Sequence, residues 1–119
     1  MRNFFLVLII ILCFGCAKPP TAEEMASWDY GPYPDNYEEI IKQNMVKVLI
    51  DPYSAQYHFQ GAPEKKWMAS PFGETKYGWG GVVFVNAKNR LGGYVGAQEF
   101  AYIIKNGQLI EFEENFRTE

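Results

Sequence analysis

Tyr77-Gly78-Trp79-Gly80-Gly81-Val82-Val83-Phe84-Val85-Asn86 constrains this chain more than any other stretch. It holds ten uncharged residues, with β-branched and aromatic side chains at its centre, and is expected to form a strand. Because nearly every position is apolar, the strand is expected in the middle of a sheet, buried on both faces. A strand of this kind needs neighbours and a covering layer, and the rest of the sequence offers both. Residues 98–105 and 108–112 flank Asn106-Gly107. That pair tolerates positive φ at both positions and suits the type I′ turn of a hairpin. Ala55-Gln56-Tyr57-His58-Phe59 alternates, which puts Ala55, Tyr57 and Phe59 on one face. Trp67-Met68-Ala69 reads as a further short strand.

The covering layer is expected to be a helix over residues 35–50. Asp35 followed by Glu38 resembles a capping box, and Glu38 and Glu39 suit the positive end of a helix dipole. Tyr37, Ile40, Ile41, Met45, Val48 and Leu49 recur at helical spacing and form one apolar stripe. Lys42, Gln43 and Lys47 are left for water. Asp51-Pro52 ends the helix, since a residue before proline is driven out of the α region. The Asp51 side chain is expected to bond a backbone N–H near Ser54 in an Asx-type turn. The fold class that follows is α+β, with one N-terminal helix packed on a three- to five-stranded, mainly antiparallel sheet. Residues 35–119 form a single domain, and the acidic tail at its end is expected to fray.

Ahead of that domain the composition changes. Met1-Arg2-Asn3 is followed by an unbroken apolar run from Phe4 to Leu12, and Lys18-Pro19-Pro20 closes it. This is the plan of a secretory signal segment over residues 1–15. From Phe4 to Ala17 there are 14 residues, whereas a spanning helix needs about 20, so a permanent transmembrane anchor is the weaker reading. Cys13-Phe14-Gly15-Cys16 resembles the bacterial lipoprotein box. In that box a small residue precedes the lipidated cysteine; Gly15 meets the need before Cys16, and Leu12 does not before Cys13. Cleavage after Ala17, with Gly15 and Ala17 as the small pair, is the alternative. Lipidation makes Cys16 a thioether, so the exported domain carries no disulfide and rests on apolar burial. Acyl chains contribute about 0.8 kcal/mol per buried CH₂ and hold such a chain at a bilayer. In a Gram-negative cell Ala17 resembles an outer-membrane sorting residue, facing the periplasm.

Residues 16–34 read as the tether. Prolines favour extended geometry there, yet Trp28, Tyr30 and Tyr33 are costly to leave in water. They either pack along the domain or offer an aromatic strip to a partner.

Two stretches resemble a known family. Asp51-Pro52-Tyr53-Ser54-Ala55-Gln56-Tyr57 resembles an Asp-Pro-x-Ser-Ala-x-aromatic segment. Tyr77-Gly78-Trp79, Val85-Asn86-Ala87-Lys88-Asn89 and Gly92-Gly93-Tyr94-x-Gly96 resemble a longer one. Both occur together in small bacterial lipoproteins and secreted proteins that have no established activity. The likeness covers roughly residues 35–110; it implies an exported lipoprotein and the order helix, turn, sheet, and it carries no catalytic residue.

The chain's 119 residues carry a formal charge of −3, and loss of residues 1–15 removes Arg2 and no acid, leaving −4. A mildly acidic domain lacks the Lys and Arg excess that draws a protein to nucleic acid. His58 is the one histidine, and a His-based metal site needs further ligands at fitting spacing. Asp51, Ser54 and His58 are the residue types of a hydrolase triad. On one extended strand, though, Ser54 and His58 stand about 13 Å apart, and no Gly-x-Ser-x-Gly elbow is present. Glu64, Glu74 and Glu99 are the unmarked candidates for paired-carboxylate chemistry. No catalytic residue, metal ligand or cofactor is implied. Asn86-Ala87-Lys88-Asn89-Arg90-Leu91-Gly92-Gly93-Tyr94-Val95-Gly96 lacks both a phosphate-loop ending and dinucleotide-fingerprint spacing. It reads as a tight, glycine-rich connection or as a recognition loop at a sheet end, with Asn86, Lys88, Asn89 and Tyr94 as partner contacts. The expected function is therefore a non-enzymatic binding or assembly module, anchored to a membrane through lipid on Cys16 and holding another envelope protein. The alternative is an inhibitor or immunity-type protein against an extracellular enzyme such as a lysozyme.

Overall fold

A computed structural model of the chain describes residues 19–69 and 74–114. Cys16 and the signal segment, and the tail 115–119, lie outside the described residues. The architecture is α+β: one four-stranded antiparallel sheet in the order β1-β2-β3-β4, with a helix packed across one face. The helices are α1 (Ala22–Ser27) and α2 (Tyr37–Val48); a 3₁₀ turn follows at Pro52–Ser54. The strands are β1 (Gln56–Ala69), β2 (Thr75–Asn86), β3 (Gln98–Lys105) and β4 (Gln108–Glu114). The packed helix is thus not the first in the chain. Thr21 caps α1 by accepting the Glu24 N–H at 3.1 Å, a short-range signal hidden among the tether's prolines.

Helix α2 starts later than the capping box implies. Asn36 is its N-cap and makes no side-chain cap bond. The Tyr37 N–H instead donates to the Pro34 carbonyl at 3.1 Å. The helix also ends at Val48, before Asp51-Pro52, because Leu49 turns extended (ψ 144°) and lays its side chain against the core. Leu49 keeps its expected place on the stripe, whereas Val48 does not and is 64% exposed. At the 3₁₀ turn it is the Ser54 hydroxyl, not the Asp51 carboxylate, that closes the chain, donating to the Asp51 carbonyl at 2.8 Å.

The core lies between α2 and one face of the sheet. Ile41 and Met45 of α2 meet Val83 and Val85 of β2 and Tyr102 and Ile104 of β3, all at most 2% exposed. Tyr57 and Phe59 of β1 pair with Val85 and Val83 and complete that face, with Ala55 beside them. β2 is an inner strand with buried positions on both faces: Val83 and Val85 on the helix side, Gly78 and Gly80 on the other, where Val82 and Phe84 are half-buried. Among the valines, only Val83 and Val85, on the helix side, are fully buried. Glycines explain the difference. Gly78 and Gly80 are on the uncovered face, where a Cβ would strike the backbone oxygens of Ile104 and Tyr102. Ile103 lies over Gly78 and is fully buried without a helix above it.

Trp67-Met68-Ala69 is not a separate strand. It continues β1 past a bulge: Gln60 pairs with Val82 and Glu64 with Gly80, so β1 spends two extra residues. Gly61 (φ 71°) and Pro63 sit in that bulge on an edge strand, where a missing N–H costs no ladder bond. The β3–β4 turn has Asn106 at φ 52° and Gly107 at φ 75°, the two positive values that a type I′ turn requires.

The aromatic arm lies on the part of the sheet that α2 leaves open. Trp28 stacks on Tyr77 (4.3 Å between centroids, 10° between planes). Tyr30 and Tyr33 meet Tyr77 and Trp79 edge-on or tilted. Among the described residues no helix is long and apolar enough to cross a membrane.

Candidate functional site

The connection between β2 and β3, residues 87–97, stands at the end of the sheet away from the arm. β2 has 12 residues and separates the two ends by about 35 Å at ~3.3 Å per residue. The turn at Pro52–Ser54 stands beside this loop, and the two are interlocked. The Lys88 N–H donates to Ser54 Oγ at 2.9 Å. The Tyr94 hydroxyl donates to the Ser54 carbonyl at 3.0 Å. Lys88 and Tyr94 form an isolated antiparallel bridge, with Lys88 Nζ 5.5 Å from the Tyr94 ring centroid. The turn at residues 51–54 and the loop at residues 86–96 thus form one structural unit.

Both asparagines hold the loop's own backbone. Asn86 Oδ1 accepts the Gly96 N–H at 3.0 Å. Asn89 Oδ1 accepts from Leu91 N–H at 2.9 Å and Gly93 N–H at 3.2 Å. The Asn89 N–H donates to the Gly93 carbonyl at 2.9 Å. Gly92 (φ 80°) and Gly96 (φ 100°) supply the left-handed backbone this path needs. Asn86, Lys88, Asn89 and Tyr94 are therefore brought to one place, and their bonded atoms brace the loop.

What the braced loop presents is apolar. Leu91, at its tip, is 95% exposed and Tyr53, on the adjoining turn, is 100% exposed. Val48, Ile50 and Val95 line a shallow groove with Leu49, Ala87, Lys88, Asn89 and Gln98, about 240 Å³ in volume. Lys47, Lys88 and Arg90 belong to the segments at this end, as do Asp51 and, on the paired ends of β3 and β4, Glu99, Glu113 and Glu114. Reading the sequence for polar contacts missed Leu91 and Tyr53. The available signal was a leucine between Arg90 and two glycines, where no core position could claim it.

The residue types of a triad do not converge. The Ser54 hydroxyl is held by Asp51 and Lys88, and His58 is on the uncovered sheet face, its ring 6.2 Å from Phe84. Glu64 pairs with Lys66 at 3.8 Å. Among the described residues no three His, Cys, Asp or Glu side chains gather to hold a metal ion. Compared with family models, curated proteins and solved structures, the chain matches none.

Ser54→Ala removes the hydroxyl that joins turn to loop. A net loss of about 1–2 kcal/mol is expected in urea unfolding, from loss of the hydroxyl's bonds to the Asp51 carbonyl and the Lys88 N–H, the latter left unpaired. Tyr94→Phe is expected to cost less. In a double-mutant cycle the two effects should fall short of additivity, because both bonds hold the same pair of segments. Full additivity would mean the interlock is absent in solution.

Proposed function

We propose that this chain is an exported lipoprotein acylated on Cys16, a member of the family of small lipoproteins it resembles. Its domain serves the cell envelope as a non-enzymatic binding or assembly module, held at the outer membrane and facing the periplasm. Its partner is another envelope protein, docked on the end formed by residues 50–54 and 86–96. The observation that carries this reading is the exposure of Leu91 and Tyr53 on a backbone fixed by side-chain hydrogen bonds. Exposed apolar and tyrosine side chains on a pre-ordered frame are suited to anchoring a partner, since little order is lost on binding. This end stands far from the arm that leads back to the anchor, which leaves it open to the compartment.

The test has two parts. Mass spectrometry of the native N-terminus is expected to find acylated Cys16, and Cys16→Ser is expected to release the chain from membranes. Crosslinking in intact cells is expected to capture an envelope protein that Leu91→Ser combined with Tyr53→Ser no longer captures. These two side chains are better targets than Asn86 or Asn89, whose loss would disorder the loop itself. A processed N-terminus at Lys18, or a crosslinked partner indifferent to both substitutions, overturns the corresponding half.

A further inference from the structure

The arm is held against the sheet in the way a bound peptide is held. Its sheet contacts are rings against rings, Lys65 over the Tyr30 ring, and one bond in which Trp79 Nε1–H donates to the Gly31 carbonyl at 3.1 Å. Among the described residues no backbone–backbone bond joins residues 28–34 to the sheet, so the arm is not part of the ladder. The surface beneath it is a shaped aromatic platform. Tyr77 receives the stacked Trp28 and has Lys105 Nζ 3.8 Å from its centroid. Lys65 Nζ lies 5.2 Å from the Tyr30 ring and 5.9 Å from Trp79, within cation–π range.

The segment is pre-shaped for this surface. Asp29 Oδ1 accepts the Gly31 N–H at 2.9 Å, an Asx-type turn that forms without the sheet. Gly31 adopts φ 72°, and a Cβ there would strike Asn106 of the hairpin turn. Pro32 and Pro34 restrict the following backbone before docking. Extended proline segments on aromatic grooves with an indole donor are a recurring mode of peptide recognition, because little conformational entropy is lost. The rings are also only partly covered: Trp28 and Tyr30 are half-buried and Tyr33 is 41% exposed. Asp35 and Asn36, which join the arm to α2, are exposed.

We infer that the face built by Lys65, Tyr77, Trp79 and Lys105 is a peptide-binding site for an extended aromatic–proline segment, filled in cis by residues 28–34 and able to take the same segment of a second copy. The one sequence the geometry shows to fit is the chain's own arm, so a second copy is the occupant. Exchange of identical segments is a low-cost route to a dimer. In cis the arm has a high effective concentration and wins; copies confined to a membrane narrow that advantage. The site does not depend on Cys16 or on the loop at the other end.

The experiment uses two full-length variants taken from membranes in detergent. Trp28→Ala with Tyr30→Ala empties the platform; Tyr77→Ala with Trp79→Ala frees the arm. Each alone is expected to sediment as a monomer, and an equal mixture is expected to form a heterodimer. A mixture that stays monomeric while both variants keep their fold overturns the inference. So does unfolding of the arm variant, because a site must exist without its occupant. If the platform variant fails to fold, a synthetic peptide of residues 27–36 decides. It should move the Trp79 indole N–H resonance of the arm variant saturably, while a peptide with Tyr30 and Tyr33 changed to alanine should not. No movement with the intact peptide overturns the site.

Discussion

Gly78→Val is expected to lower stability by about 3 kcal/mol or more, enough to threaten folding of a domain this small. Strand propensity alone gives the opposite sign, since valine outranks glycine in strands and glycine loses more backbone freedom on folding. The close approach of β3 decides the matter. A Cβ at Gly78 would lie 2.5 Å from the Ile104 carbonyl oxygen and 2.8 Å from Ile103 Cγ2. The first of these is backbone in the β2–β3 ladder, so relief requires the strands to part. The second belongs to a fully buried side chain. Gly78→Ala is expected to act in the same direction with smaller size. Gly93→Ala is the control: nothing lies within 4 Å of its Cβ position, and a change within about 0.5 kcal/mol is expected. Urea unfolding of the three variants reads the difference. A raised midpoint for Gly78→Val would mean that β2 and β3 do not pair in this register.

The same glycines show where the sequence is legible and where it is not. The turn at Asn106-Gly107, the alternation through Tyr57 and Phe59 and the spacing of Ile41 and Met45 are local patterns, and each emerges as read. Whether β2 would be covered on one face or two depends on how near β3 comes to Gly78 and Gly80, a non-local fact that no periodicity carries. Pro63 sits inside β1 for a related, non-local reason. A proline is harmful only where its N–H is needed, and β1 turns out to be an edge strand. At the loop, the stretch that spacing singled out is one braced unit, and its internal bonds could not be read from spacing. Asparagine oxygens that look like partner contacts are satisfied by Leu91, Gly93 and Gly96 N–H groups. The side chains left facing outward are a leucine and a tyrosine, types that reading for hydrogen bonds passes over.

Stability is expected to fall steeply above pH 10, and Tyr102 is the main cause. Its side chain is 1% exposed, and burial first, then nearby Tyr37, Tyr33 and Glu38, push its phenol well above the ordinary value of 10.0. Tyr57 is raised by burial as well. With a folded pKa above the unfolded one, the neutral phenol is favoured by the fold. Below pH 10 both states hold the proton and stability is unaffected. Above it the unfolded chain loses the proton first, so unfolding releases protons and the folded state weakens as pH rises, until the folded pKa is reached. One such group contributes about 1.4 kcal/mol per pH unit in that window. Urea midpoints measured from pH 9 to pH 12 should decline with that slope or more. Tyr102→Phe cannot ionise, and its profile should be flatter by about one proton's worth. A Tyr102→Phe profile parallel to the parent's would place this phenol in water, outside the layer between α2 and the sheet, and the packing of Ile41 and Met45 against β3 would then have to be redrawn.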